Sequence, residues 1–217
     1  VTWLPGPGDA TPVLAFDTGP GVALLNSAAS LATGGNLVFD EDGALARKGT
    51  VVEPLLERLL CHPFFQEEPP RSTGRETFGP AVVEDAASWL REEWKWTMEP
   101  GSPQEGWPDL LATFTALTAR SIGNAYRSWI LPRGLDEVFV TGGGARNPAL
   151  WDALVRELDP VPVRPGKELG MDPDAKEAMA FALLAWAHLR GIPANIPEAT
   201  GSRGARVLGS HTPGGPW

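Results

Sequence analysis

Cysteine occurs once in this 217-residue chain, at Cys61, and histidine three times, at His62, His188 and His211. A lone thiol excludes an intramolecular disulfide and a cysteine-built zinc site, and it suits a reducing compartment. The histidines are scattered without ligand spacing, which argues against a metal centre built on them. No apolar run reaches the roughly 18 residues that a membrane-spanning helix needs. Basic stretches are missing as well: 18 Lys and Arg stand against 27 Asp and Glu, a net charge of −9. That mean field opposes nonspecific nucleic acid or anionic membrane, so neither is an expected partner and a small molecule or a protein is. No GKS or GKT triplet occurs, which removes the usual P-loop lysine. The chain also opens without an initiator methionine or a leader, on Val1-Thr2-Trp3-Leu4, a strand already under way, and reads as a piece of something longer. What remains is ordinary globular material, 42% hydrophobic and 21% charged, long enough to bury a substantial core.

Along the chain, Val1 to Leu4 and Val13 to Phe16 flank a Pro/Gly segment and read as a hairpin. Asp17-Thr18-Gly19-Pro20-Gly21 is a Gly-rich turn, and residues 22–31 suit a short helix. Leu37 to Leu45 contains Asp42-Gly43 and reads either as a second hairpin or as a plain loop. Helical spacing recurs over Val51 to Leu60 and over Val83 to Trp96, with an irregular basic loop, Pro69 to Glu76, between them. Gly101 to Pro108 is a linker. Asp109 opens a long helix with one apolar face, ending near Gly134. Glu137 to Val140 is β-rich and Thr141 to Arg146 is a loop, after which Asn147-Pro148 is an N-cap with proline at the first helical position. Val161 to Arg164 supplies another strand, at an edge because of Pro162. Asp172-Pro173 repeats the cap signal and opens a helix through Arg190. Strand, loop and helix units in this order predict an α/β fold.

Four places could carry chemistry. Asp17 ends a strand beside a backbone that a ligand can approach, where its carboxylate could take a proton or hold a metal-bound water; alternatively it caps the turn. Thr141-Gly142-Gly143-Gly144 could lie against a nucleotide, or could be a tight turn needing positive φ. Glu177 falls four, seven and eleven residues before Phe181, Leu184 and His188, which places a carboxylate near the apolar face of its helix; the alternative, an acid in the first turns favoured by the helix dipole, is the simpler reading. Arg71 and Arg75, flanking Ser72-Thr73-Gly74, could grip an anion or brace a loop.

Taken together, Ala15 to Gly21, Asp42-Gly43 with Gly49, Pro69 to Glu76, Ala112 to Ala119, Gly142 to Asn147, Glu177 to Ala182 and Thr200-Gly201 resemble the anhydro-N-acetylmuramic acid kinase family from end to end. The resemblance implies the C-terminal portion of a two-lobe, actin/hexokinase-like (ribonuclease H-like) sugar kinase, with the N-terminal lobe and its phosphate loop not represented before Val1. Residues 35–108 are expected to form an inserted helical and loop subregion of that lobe. The implied reaction uses ATP and Mg2+ to convert 1,6-anhydro-N-acetylmuramic acid to N-acetylmuramic acid 6-phosphate in cytoplasmic peptidoglycan recycling, and the family implies a homodimer. Asp17 then corresponds to the general base. Gly19, Gly21, Gly142, Gly143, Gly144 and Asn147 correspond to the nucleotide side, and Glu177 and Arg75 to the substrate side. The chain departs from the family pattern at Val22 and Asn26, where the family has Asn and later Asp. A noncatalytic nucleotide- or sugar-binding module is therefore the alternative reading.

Overall fold

The computed structural model describes every residue except 104, 105, 171, 173, 174, 213 and 215–217. It is a mixed α/β structure with few strands. The chain divides into two compact units, one made of Val1–Phe16, Pro69–Arg71 and Gly166–Trp217, the other of Asp17–Glu68 and Ser72–Pro165. No helix among the described residues is long and apolar enough to cross a membrane.

In the first unit β1 (Thr2–Trp3) and β2 (Leu14–Ala15) form the expected antiparallel hairpin, with Thr2 opposite Ala15 and Trp3 opposite Leu14. The Pro/Gly content of residues 5–12 keeps the connection out of the ladder. A long helix, α6 (Lys176–Leu189), and a single turn, α7 (Pro197–Thr200), complete the unit, α7 packing on β2. The Arg71 guanidinium lies 5.6 Å from the centre of the Phe16 ring, so this arginine braces its loop by a cation–π contact. The sequence placed the start of α6 at Asp172-Pro173. Asp172 is not helical, α6 begins at Lys176, and Pro173 lies outside the described residues.

The second unit holds the main core. Its helices are α1 (Ala23–Ala32), α2 (Glu53–Leu60), α3 (Pro80–Trp94), α4 (Trp107–Ala125) and α5 (Pro148–Leu158). The single apolar face expected for α4 is a correction: most of its nineteen residues are buried, because α1, α2, α3 and α5 all pack against it. It starts at Trp107, within the expected linker of residues 101–108, of which 104 and 105 lie outside the described residues. Past Ala125 the helix widens into a π turn, Tyr126–Ile130, then tightens through Leu131–Arg133 and stops at Gly134, whose φ is +86°.

Side chains near the ends of α4 lock its neighbours. The Thr50 amide donates to Asp109 Oδ1 at 2.6 Å and the Val52 amide to Thr113 Oγ1 at 3.0 Å, fixing the entry to α2. Residues 37–45 form a loop of tight turns and not a hairpin. The cause is Asp40, a buried carboxylate that accepts the Leu45 and Ala46 amides at 2.8 and 2.9 Å and so supplies locally what a strand ladder would otherwise provide. β3 (Val138–Val140) and β4 (Val163–Pro165) pair in parallel, Val138 opposite Val163, with α5 as the crossover.

Candidate functional site

Asp17 opens the Gly-rich turn that leads into α1. Its Oδ2 accepts the Thr73 amide at 2.9 Å and the Ser72 hydroxyl at 3.1 Å, donors that lie 56 and 55 positions away in sequence. Hydrogen bonds to an ionised carboxylate are roughly twice as strong as neutral ones, so the pair holds the carboxylate in one orientation.

The turn itself is fitted to α4. A Cβ at Gly19 would lie 2.7 Å from Ser121 Oγ and 3.0 Å from Phe65 Cε1, so only glycine lets the backbone come this close. Two residues on, the Gly21 carbonyl accepts the Thr118 hydroxyl at 2.7 Å. A helical hydroxyl thus reaches out of α4 to fix the turn.

The second glycine segment follows β3. Gly142 has φ +86°, which explains a glycine at the point where the strand turns into Gly143–Arg146. Asn147 closes the loop: its Oδ1 accepts the Leu150 amide at 3.1 Å, and Pro148 occupies the first helical position of α5. Gly21 and Val22 from the first segment and Gly143 and Gly144 from the second line one cavity of about 320 Å3, with Ile122 and Trp151 among its walls. The dimension and the apolar, partly aromatic lining suit a planar heterocycle set against backbone. Another cavity, of about 260 Å3, is lined in part by Phe65, Gln66, Ser121, Asn124, Ser128 and Trp129. Ser121 and Phe65, two of its wall residues, also pack against Gly19.

Asn147, Arg75 and Glu177 are the remaining site residues read from the sequence. Asn147 is buried, and its side-chain oxygen is occupied as the cap of α5. Arg75 is exposed in the loop that carries Ser72 and Thr73, and makes no ion pair among the described residues. Glu177 belongs to the first unit, exposed in the first turn of α6. Its expected setting by the apolar face of its helix, away from solvent, is corrected, because Glu177 is itself exposed, as is Phe181 one turn on, while Leu184 and His188 are only half-buried. Among the described residues no group of three His, Cys, Asp or Glu side chains converges to hold a cation, so these residues build no protein cage for magnesium.

Sequence reasoning singled out Arg71 and Arg75 and passed over Ser72 and Thr73, which donate to Asp17. The available signal was chemical: adjacent hydroxyl residues before a glycine, in an irregular loop, are the residues that offer amide and hydroxyl donors to a carboxylate. Thr118 and Trp151 were also missed, since a threonine on a buried helix and a tryptophan in an amphipathic one look like packing.

Comparison with known proteins gives the family. The family model described as anhydro-N-acetylmuramic acid kinase matches residues 5–214. An anhydro-N-acetylmuramic acid kinase of Gloeobacter violaceus is 46% identical over 99% of this chain and 53% of its own length. Proteins of the same name from Acidithiobacillus ferrooxidans and Streptomyces avermitilis are each 42% identical, over 100% and 92% of this chain and 52% and 48% of their own lengths. The chain spans about half the length of the curated relatives it matches. With a family match over nearly its whole extent, this chain belongs to the anhydro-N-acetylmuramic acid kinase family.

Proposed function

We propose that this chain carries the general base and the nucleoside-side loop of an ATP-dependent kinase that converts 1,6-anhydro-N-acetylmuramic acid to N-acetylmuramic acid 6-phosphate in peptidoglycan recycling. The fold proposed is the actin/hexokinase-like one, with catalysis requiring the further length that the relatives have. The observation that supports this reading best is the shared cavity: Gly21, in the turn that starts at Asp17, and Gly144 are 123 positions apart in sequence, yet they line one apolar space.

In this reading Asp17 takes a proton from the water that attacks the anomeric carbon. The bond between that carbon and the 6-oxygen breaks, and the freed 6-oxygen receives the γ-phosphoryl group that ATP supplies, leaving ADP. Ser72 and the Thr73 amide keep the carboxylate oriented. The glycine loop and Trp151 hold the adenine side, while Arg75 and Glu177 are assigned to the substrate side and Asn147 to the shape of the nucleotide loop. Magnesium, in this proposal, reaches the site with the phosphates, as is usual for a small hard cation that keeps several waters.

The test is incubation of the full-length protein with the anhydro sugar, ATP and magnesium, with the sugar phosphate read by mass spectrometry. Asp17→Asn should lower turnover by about 10²- to 10⁴-fold, the usual worth of a positioned general base. Normal turnover by that variant would remove Asp17 from the role. No product from a folded wild-type protein that still binds nucleotide would favour the binding-module reading, for which the apolar Val22 in the cavity wall is the supporting feature.

A further inference from the structure

The loop that supplies both donors to Asp17 is itself firmly built. The Gly74 carbonyl accepts the Thr77 and Phe78 amides at 3.1 and 2.9 Å, closing residues 74–78 into a turn. Phe78 is buried and packs on Phe64 and Phe65, each at 5.5 Å between ring centres. Phe65 in turn abuts Gly19. One aromatic cluster therefore supports both the turn that carries the carboxylate and the loop that carries its donors. Such support for a single pair of hydrogen bonds is the mark of a positioned reacting group.

A second feature of the loop has no structural use. Thr73 Oγ1 is buried and has no hydrogen-bond partner among the described residues. An unsatisfied buried hydroxyl lowers stability, and valine would fill the same volume without that penalty. Costs of this kind persist where a group bonds something other than the protein.

We propose that Ser72 and Thr73 are positioning residues for Asp17. The Ser72 hydroxyl and the Thr73 amide fix the carboxylate rotamer for proton uptake, and the Thr73 hydroxyl is reserved for a hydrogen bond made only when the site is loaded. This inference rests on the kinase reading above and deepens it.

The experiment uses the full-length protein and compares wild type with Ser72→Ala, Ser72→Thr and Thr73→Val, measuring kcat, KM for the anhydro sugar and the melting temperature of each. Ser72→Ala should lower kcat about ten-fold, the worth of one charge-assisted hydrogen bond, with KM unchanged and the melting temperature nearly so, since Ser72 is exposed. Ser72→Thr, which keeps the hydroxyl, should restore it. Thr73→Val keeps the amide and should lower kcat while holding or raising the melting temperature, a combination that a merely structural role would not give. Wild-type kcat in both Ser72→Ala and Thr73→Val would overturn the inference and leave the kinase reading standing. A kcat loss that tracks a fall in melting temperature, unrescued by threonine, would overturn it as well. A folded wild type that makes no sugar phosphate would instead overturn the kinase reading, and this inference with it.

Discussion

Helices α4 and α6 are both rich in apolar residues and meet opposite fates. Most of the nineteen residues of α4 are buried; of the fourteen in α6 only Ala187 is, and Phe181 and Leu189 are 71% and 72% exposed. Composition does not explain the contrast, since α4 even carries more hydroxyl residues, among them Thr113, Thr115, Thr118 and Ser121. Those polar groups tolerate burial because each is bonded: Thr113 to the Asp109 carbonyl at 2.7 Å, Thr115 to the Leu111 carbonyl at 2.8 Å, Thr118 to Gly21 and Ser121 to the Thr118 carbonyl. α4 has four helices around it, whereas large side chains point from α6 in several directions and the described residues cover few of them. Burial follows the neighbours available, and the sequence of one helix does not state who they are.

The sharpest test of that contrast lies at the centre of α4. Phe114 is fully buried, and Phe114→Ala should cost about 3–5 kcal/mol in unfolding free energy, read by denaturant titration. A loss under about 1 kcal/mol would mean that the core around α4 is loosely packed. The next effect is electrostatic and sits just past the end of the same helix. Burial pushes the Tyr126 phenol up from 10.0 to about 12. The folded state therefore keeps a proton that the unfolded chain releases, so stability falls as pH rises from about 10 to about 12, by about 2–3 kcal/mol if the phenol alone titrates. Tyr126→Phe should flatten that decline, as followed by melting temperature across alkaline pH.

A smaller effect separates the helix starts. α5 begins with an Asn147 side-chain cap, while the N-cap of α6 is Ala175, with no side-chain cap bond. Asn147→Ala should cost about 1 kcal/mol, and Asn147→Asp should retain most of it, because the acceptor oxygen is what the Leu150 amide needs. If both substitutions leave stability unchanged but weaken nucleotide binding, the residue serves the cavity and not the helix.

These contrasts also show what could be read in the chain before its structure. Local signals carried over well: the hairpin across residues 5–12, the Asn147-Pro148 start, the stop at Gly134 and the two strands near 138 and 163 all depend on residues close together in sequence. Asp17 and the glycine segments were visible for the same reason, being short motifs with few backbone options. What escaped were relations between distant residues. Nothing near Asp17 announces donors 55 positions away, nothing near Asp40 says its carboxylate replaces a hairpin ladder, and Glu177 was set beside an apolar face on a periodicity that holds while the burial does not.

The weakest expected effect tests the exposed side of the comparison. Phe181→Ala removes a large side chain that is already mostly in water, so its transfer term is nearly spent and stability should change by less than about 0.5 kcal/mol. The same truncation at Phe114 loses both transfer energy and the contacts around a cavity, and the ratio between the two costs is the quantitative form of the contrast between the helices. Measured side by side in the 217-residue chain by denaturant unfolding, a Phe181→Ala cost that approaches the Phe114 value would show that α6 is covered in solution. Sedimentation at rising protein concentration would then identify self-association as the cover if the cost grows with concentration, because a contact between copies contributes by mass action and an internal one does not.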